Sequence, residues 1–167
     1  MIQRIQTIFL FISFALCGLL LLINPIYAEF NYIQDGSEYQ AVFLFWSSFG
    51  ESITGVTGIL SFGNYWSNFI LLLLSTGLSF ASIFMFRFAR NQIFAVLISS
   101  VFMGILGLKL IYQYMSFKNS KIEGLNYELN AHIFWIILIL ALNIMAVAAI
   151  QIDRRSIRQN YFVFPKG

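Results

Sequence analysis

An all-α membrane protein, a four-transmembrane-helix bundle with a small β-hairpin or sheet in its first extracytoplasmic loop, is the fold class this sequence predicts. Three observations predict it. Only 10% of the residues are charged while 59% are hydrophobic, where a soluble domain carries roughly 25% charged residues. Four continuously apolar stretches reach the ~20 residues a helix needs to cross a bilayer. The basic residues are concentrated on alternate connections between those stretches. The chain reads as a single membrane domain over 1–167. Its spans lie near 5–27, 66–86, 93–115 and 131–152, with an extracytoplasmic loop over 28–65 and a cytoplasmic tail over 153–167.

The first element must be told apart from a signal peptide. Arg4 supplies a basic start and Ala28 a small residue before a cut. The uncharged run from Ile5 to Ala28 is 24 residues, however, and a signal peptide's apolar region is about 7–15. Position −3 of such a cut would be Ile26, which is not small. Lipidation at Cys17 also fits poorly, because Leu16 precedes it. The segment is therefore expected to stay as a helix, with its exit marked by Asn24-Pro25.

The second span, "WSNFILLLLSTGLSFASIFMF", the third, "IFAVLISSVFMGILGLKLIYQYM", and the fourth, "AHIFWIILILALNIMAVAAIQI", are apolar without interruption. Buried helices of soluble cores are usually shorter and amphipathic. Orientation follows from charge. Arg4, Arg87, Arg90, Arg154, Arg155, Arg158 and Lys166 fall on one side and make seven of the ten Lys and Arg residues. The loop from Tyr27 to Tyr65 holds Glu29, Asp35, Glu38 and Glu51 and no Lys or Arg, and the 116–130 loop is mixed. Both termini are thus expected in the cytoplasm. Tyr27, Tyr65, Trp66, Tyr112, Tyr114 and Trp135 fall near outer span ends, the headgroup level that amphipathic rings prefer.

The long first loop is expected to carry structure. "FNYIQDGSEYQAVFLF" places Asp35-Gly36 between strand-forming runs, the dipeptide that suits a hairpin turn. "SITGVTGIL" is β-branched and glycine-spaced. A small antiparallel sheet on the outer end of the bundle is the expectation, against an irregular loop on the lipid surface. The run Ala41–Phe49, "AVFLFWSSF", has two readings. It packs on the helix ends, or Phe43, Phe45 and Trp46 offer a partner surface.

Chemistry is sparse. Net charge is only +3 and no basic stripe interleaves with aromatics, which argues against nucleic acid. Cys17 is the lone cysteine, so no disulfide or CxxC pair forms within the chain. His132 is the lone histidine, which removes paired-histidine haem ligation and HExxH. An interfacial histidine is preferred to a ligand. No span contains Asp or Glu, the groups by which ion-coupled carriers commonly bind their ion. No cofactor, metal or catalytic residue is therefore expected, and the chain is expected not to be an enzyme.

Lys109 is the one charge well inside a span, about 7–8 Å outward of its midpoint at 1.5 Å per residue. It either snorkels to the outer headgroups or pairs with an outer-loop carboxylate, a lipid phosphate or a partner subunit. Asn143 lies mid-span and needs a partner. Ser75, Ser79 and Ser82 share a face, as do Ser13 and Cys17, and Ser100 and Gly104 are spaced small-xxx-small. Close helix packing is the preferred account, with a substrate path through Lys109, Asn143, Ser75 and Ser79 as the lesser one.

The start "MIQRIQT", the basic turn "RFARNQI" and the basic end "IDRRSIR" resemble a family of small four-span proteins of Bacteroidota, domain of unknown function 4293. The resemblance implies a bacterial inner-membrane protein and carries no activity. Three functions are in view. One is an accessory or assembly subunit of a larger membrane complex. Another is an oligomeric transporter or channel. The third is a claudin-like organiser of the outer surface, although the paired loop cysteines of that group are missing. Expected partners are the lipid bilayer and other membrane subunits or further copies of the chain.

Overall fold

The computed structural model describes residues 2–34, 37–52, 60–64, 66–118 and 126–163. Helix α1 spans Ile2–Ile23, α2 Trp66–Phe84, α3 Ala89–Lys118 and α4 Phe134–Val163. All four are long and apolar enough to cross a membrane. They pack around a ring, α1 beside α2, α2 beside α3, α3 beside α4 and α4 beside α1. Each runs antiparallel to its neighbours, since successive helices cross in alternate directions and adjacent helices in the ring are an odd number of steps apart in that order.

Helix lengths differ in a way that matters. At 1.5 Å per residue α1 and α2 are about 33 and 28 Å long, close to the ~30 Å hydrocarbon core. Helices α3 and α4 have 30 residues each, so about 45 Å. The extra length of α3 stands at one end of the bundle and that of α4 at the other. The segment expected as a tail from residue 153 is thus helical to Val163. The first span is shorter than expected and stops at Ile23. Asn24 there adopts φ +48°, and its N–H still bonds the Leu20 carbonyl at 3.2 Å. Asparagine tolerates this left-handed conformation, and Pro25 cannot extend the helix.

The strands are β1 (Ile26–Gln34), β2 (Ser37–Leu44), β3 (Ser47–Ser52), β4 (Leu60–Asn64) and β5 (Asn126–Leu129). They form one antiparallel sheet in the order β4-β3-β2-β1-β5. The β1–β2 pairing closes up to Gln34 opposite Ser37. Asp35-Gly36, the expected turn, and residues 53–59 of the glycine-spaced stretch lie outside the described residues. Strand β5 comes from the connection between α3 and α4, for which no strand was expected. Asn130 N–H bonds the Tyr27 carbonyl at 2.9 Å and continues that ladder.

The sheet covers the end of the bundle where α1 and α3 finish and α2 and α4 begin. Registers Phe30–Ala41 and Ala28–Phe43 put these four residues on one face, and all four are buried against the helices. The other face carries Glu29, which accepts a bond from Gln40 Nε2 at 3.0 Å. The main core joins sheet and bundle through Tyr27, Phe30, Phe43, Phe45, Leu20, Leu72, Met103, Leu106, Leu110 and Ile139. A second, smaller cluster of Leu10, Val96 and Ala146 closes the opposite half.

Candidate functional site: a polar layer inside the bundle

Between the two apolar clusters lies a layer of neutral polar side chains. Its positions follow from helical spacing. On α3 the inward residues run Gln92, Val96, Ser99, Met103, Leu106 and Leu110, all buried, at the three-or-four-residue interval of one helix face. Corresponding faces bring Ser13 and Cys17 from α1, Ser75 and Ser79 from α2 and Asn143 from α4 to the same depth.

Hydrogen bonds tie these helices together. Ser13 Oγ donates to Asn143 Oδ1 at 2.7 Å, and Asn143 Nδ2 donates to Ser100 Oγ at 3.2 Å. The Ser99 hydroxyl lies 2.8 Å from that of Ser75 and 3.0 Å from that of Ser79. The Cys17 sulfur lies 3.9 Å from Ser75 Oγ. Below the layer Ser82 Oγ donates to the Ser79 carbonyl at 2.7 Å, and Gln92 Nε2 to the Ser82 carbonyl at 3.0 Å. Each bond between helices in a membrane contributes about 0.6 kcal/mol on average. Their larger effect is to fix which helix faces which, because an amide stranded in hydrocarbon is costly.

The middle of the layer is satisfied, and the unsatisfied atoms are found toward the ends. Among the described residues, Gln6 Oε1 and Gln92 Oε1 near one end are buried without a hydrogen-bond partner. Asn68 Oδ1 and Trp46 Nε1 near the sheet are in the same state. Asn68 does use its Nδ2, which donates to the Phe45 carbonyl at 3.0 Å and anchors the start of α2 under the sheet. Asn24 does likewise for α1. Its Nδ2 donates to Ser47 Oγ at 2.9 Å and its Oδ1 accepts from Trp46 N–H at 3.1 Å.

The residues singled out in the sequence separate into three groups. Asn143, Ser75 and Ser79 meet in the polar layer. Lys109 does not join them. It is half-buried on α3 nearer the sheet and donates from Nζ to Ser67 Oγ, at the start of α2. Phe43 and Phe45 are 4% and 0% exposed. They cannot form a partner surface on this chain, because they are the packing between sheet and helices. Trp46 is half-buried on the same cluster, with its ring 5.6 Å from that of Phe69.

Tyr27 is a correction to the interfacial set. It is fully buried, touches Phe43 and Phe45 edge-on, and its hydroxyl donates to Gln113 Oε1 at 3.2 Å. Trp66 and Tyr112 are exposed, at 65% and 74%, and Tyr65 lies outside the described residues. His132 donates from Nδ1 to the Ile26 carbonyl at 3.0 Å and stands edge-on to Trp135. It therefore ties the start of the last helix to β1.

Two participants were missed in the sequence, Ser99 and Gln92. Ser99 is the centre of the hydroxyl cluster, yet its neighbour Ser100 drew attention through its spacing to Gly104. The inward series from Gln92 to Leu110 would have found both.

Four spanning helices in a ring, joined mid-bundle by a neutral polar layer and capped at one end by a sheet, define a multi-pass membrane protein. The chain belongs to a particular family of such proteins. Residues 2–160 match the family described as Domain of unknown function (DUF4293), the family that the opening "MIQRIQT" resembles. No curated protein matches the chain.

Proposed function

We infer that this protein is a non-enzymatic accessory or assembly subunit of a larger complex in a bacterial inner membrane, with both termini in the cytoplasm and the sheet outside. One observation carries the reading. The polar groups at the middle of the bundle bond to one another and to backbone, with apolar clusters toward either end. Leu20, Leu72, Met103, Leu106 and Ile139 close the sheet side, and Leu10, Val96 and Ala146 the other. Such a layer suits holding four helices in one arrangement. It suits a conducted ion or substrate less well, since the apolar residues on the sheet side interrupt the polar groups, even though Ser82 and Gln92 continue them toward the other end. The hydroxyls bond to hydroxyls, an amide and carbonyls rather than to a base that would activate them.

A second reading is favoured by the sheet. It draws strands from both connections on its side of the bundle, so the two loops are hydrogen-bonded into one sheet. An outer platform of this kind would serve a claudin-like organiser of the outer surface, although fold-level likeness is not function.

Purification in mild detergent, followed by identification of co-purifying proteins, separates these readings. A defined heterocomplex is expected. Pure homo-oligomers would favour the transporter or organiser readings instead. Orientation is tested by single-cysteine labelling in a Cys17→Ser background. A reagent that cannot cross the inner membrane should label position 36 and spare position 160, and the opposite result would invert the topology.

A further inference from the structure

At the end of the bundle away from the sheet, α3 and α4 part to leave a cavity of about 470 Å³ lined by Ile93, Gln151, Arg154 and Arg155. We propose that this cleft is a binding site for an acidic phospholipid, whose phosphodiester sits between the Arg154 and Arg155 guanidinium groups with Gln151 as a further donor.

Three observations lead to this occupant. The first is charge. Among the described residues two arginines line the cleft and no carboxylate does. Neither has an ion pair or hydrogen bond among the described residues. Asp153, beside them in sequence, is not part of the lining. Guanidinium groups match phosphate oxygens in bidentate geometry, and basic pockets between membrane helices are where acidic headgroups bind.

The second is depth. Arg154 and Arg155 stand at the end of the apolar part of α4, whose spanning segment is Ala131–Arg155. That is the level at which a phosphate would meet them. The third is the surface below. From Ile93 the lipid-facing positions of α3 continue through Leu97 and Val101, and Ile144 faces out from α4, all exposed. Acyl chains can lie along this apolar strip while the headgroup is held. A free phosphate would use only the arginines, whereas a phospholipid would use both parts. The strip therefore favours the lipid.

A neighbouring groove between α2 and α3 supplies an internal control. It is lined by Arg90 and Asn91 above Phe94 and Ile98, so among the described residues it has one guanidinium where the cleft has two.

The test measures the thermal shift of the detergent-purified protein on adding phosphatidylglycerol, phosphatidylcholine or inorganic phosphate. Native mass spectrometry counts bound lipid in parallel. Phosphatidylglycerol is expected to raise the melting temperature, and the other two to leave it unchanged. In the Arg154→Gln/Arg155→Gln variant the lipid-induced shift should disappear, with binding weaker by about fivefold for each guanidinium removed. Arg90→Gln should keep both the shift and the bound lipid. If the double variant is itself less stable, the lipid-induced difference and the mass-spectrometric count still read the site. Equal shifts from phosphatidylcholine, or an equal shift from inorganic phosphate, would overturn the proposal. So would loss of the shift in Arg90→Gln with retention in the double variant.

Discussion

The two halves of this bundle are held together by different physics. Toward the sheet the buried side chains are large and aromatic. Tyr27, Phe30, Phe43 and Phe45 interlock with ring centroids 5.4–6.2 Å apart. Toward the middle the buried side chains are small and polar, namely serines, one cysteine and one asparagine. The difference follows the solvent. The sheet and the helix ends beneath it meet water, so burying apolar area there is driven by the hydrophobic effect. Within the membrane, lipid is as apolar as leucine, and helices associate through close packing and hydrogen bonds. One chain therefore uses soluble-protein cohesion at its cap and membrane-protein cohesion in its bundle.

The largest expected effect tests the cap. Phe30 is fully buried and contacts both Phe43 and Tyr114 at 5.4 Å between centroids. Phe30→Ala should cost about 3–5 kcal/mol, the usual range for truncating a buried phenylalanine, as measured by unfolding of the detergent-solubilised protein. The sheet should loosen first, seen as faster amide exchange in β1 and β2 than in the helices. A cost below that of any single change in the polar layer would break the comparison.

Next comes the joint between the halves. Asn24 combines a positive φ with two side-chain bonds, one to Trp46 in the β2–β3 connection and one to Ser47 at the start of β3. Asn24→Ala loses both bonds and also strains the backbone, at about 1–2 kcal/mol for a left-handed alanine and about 1 kcal/mol for each bond. Asn24→Gly removes the strain and keeps the loss of bonds. It should therefore be more stable than Asn24→Ala by about 1 kcal/mol. If the two variants melt together, conformation at residue 24 is not what positions the sheet.

How far the sequence revealed these two halves depends on what each uses as its signal. The spans were legible because length and apolarity are local properties. The first hairpin was legible because Asp35-Gly36 sits between two strand-forming runs. Strand β5 was not, since four residues, Asn126–Leu129, bind to β1 through backbone pairing that leaves little trace in composition. Tyr27 was misplaced for a related reason. A tyrosine just past a span end looks the same whether it faces headgroups or a sheet folded back over the helices. Phe43 and Phe45 were ambiguous until the register with β1 fixed their face. In the polar layer the inward residues were legible as faces of single helices. Which face met which was not, because that depends on the order of the helices around the ring.

The polar layer itself should respond more weakly than the cap. Asn143 bridges Ser13 and Ser100. Bonds between membrane helices average about 0.6 kcal/mol with a maximum near 1.7, so Asn143→Leu should cost about 1–2 kcal/mol. Ser13→Ala in the Asn143→Leu background should then add almost nothing, as a double-mutant cycle would read. Full additivity would mean that Ser13 and Asn143 do not act as a unit.

The smallest effect is expected at Lys109. A lysine near the centre of a span costs about 2.5–3.5 kcal/mol on insertion scales, and the cost falls toward the interface. Lys109 stands on the sheet side of the span, and its ammonium reaches Ser67 at the first turn of α2. Its charge is thus carried toward the headgroups, and a hydroxyl is a modest partner. Among the described residues no carboxylate forms an ion pair with it. Lys109→Leu removes a half-buried charge and a single bond at the rim, so stability should change by no more than about 0.5 kcal/mol, with insertion slightly improved. A buried ion pair predicts the opposite sign, because deleting one member strands the other at about 3–5 kcal/mol. Melting of wild type against Lys109→Leu, with co-purifying protein scored in the same samples, distinguishes them. A loss of that size, or release of a partner, would show that Lys109 belongs to an interface rather than to the rim of the bundle.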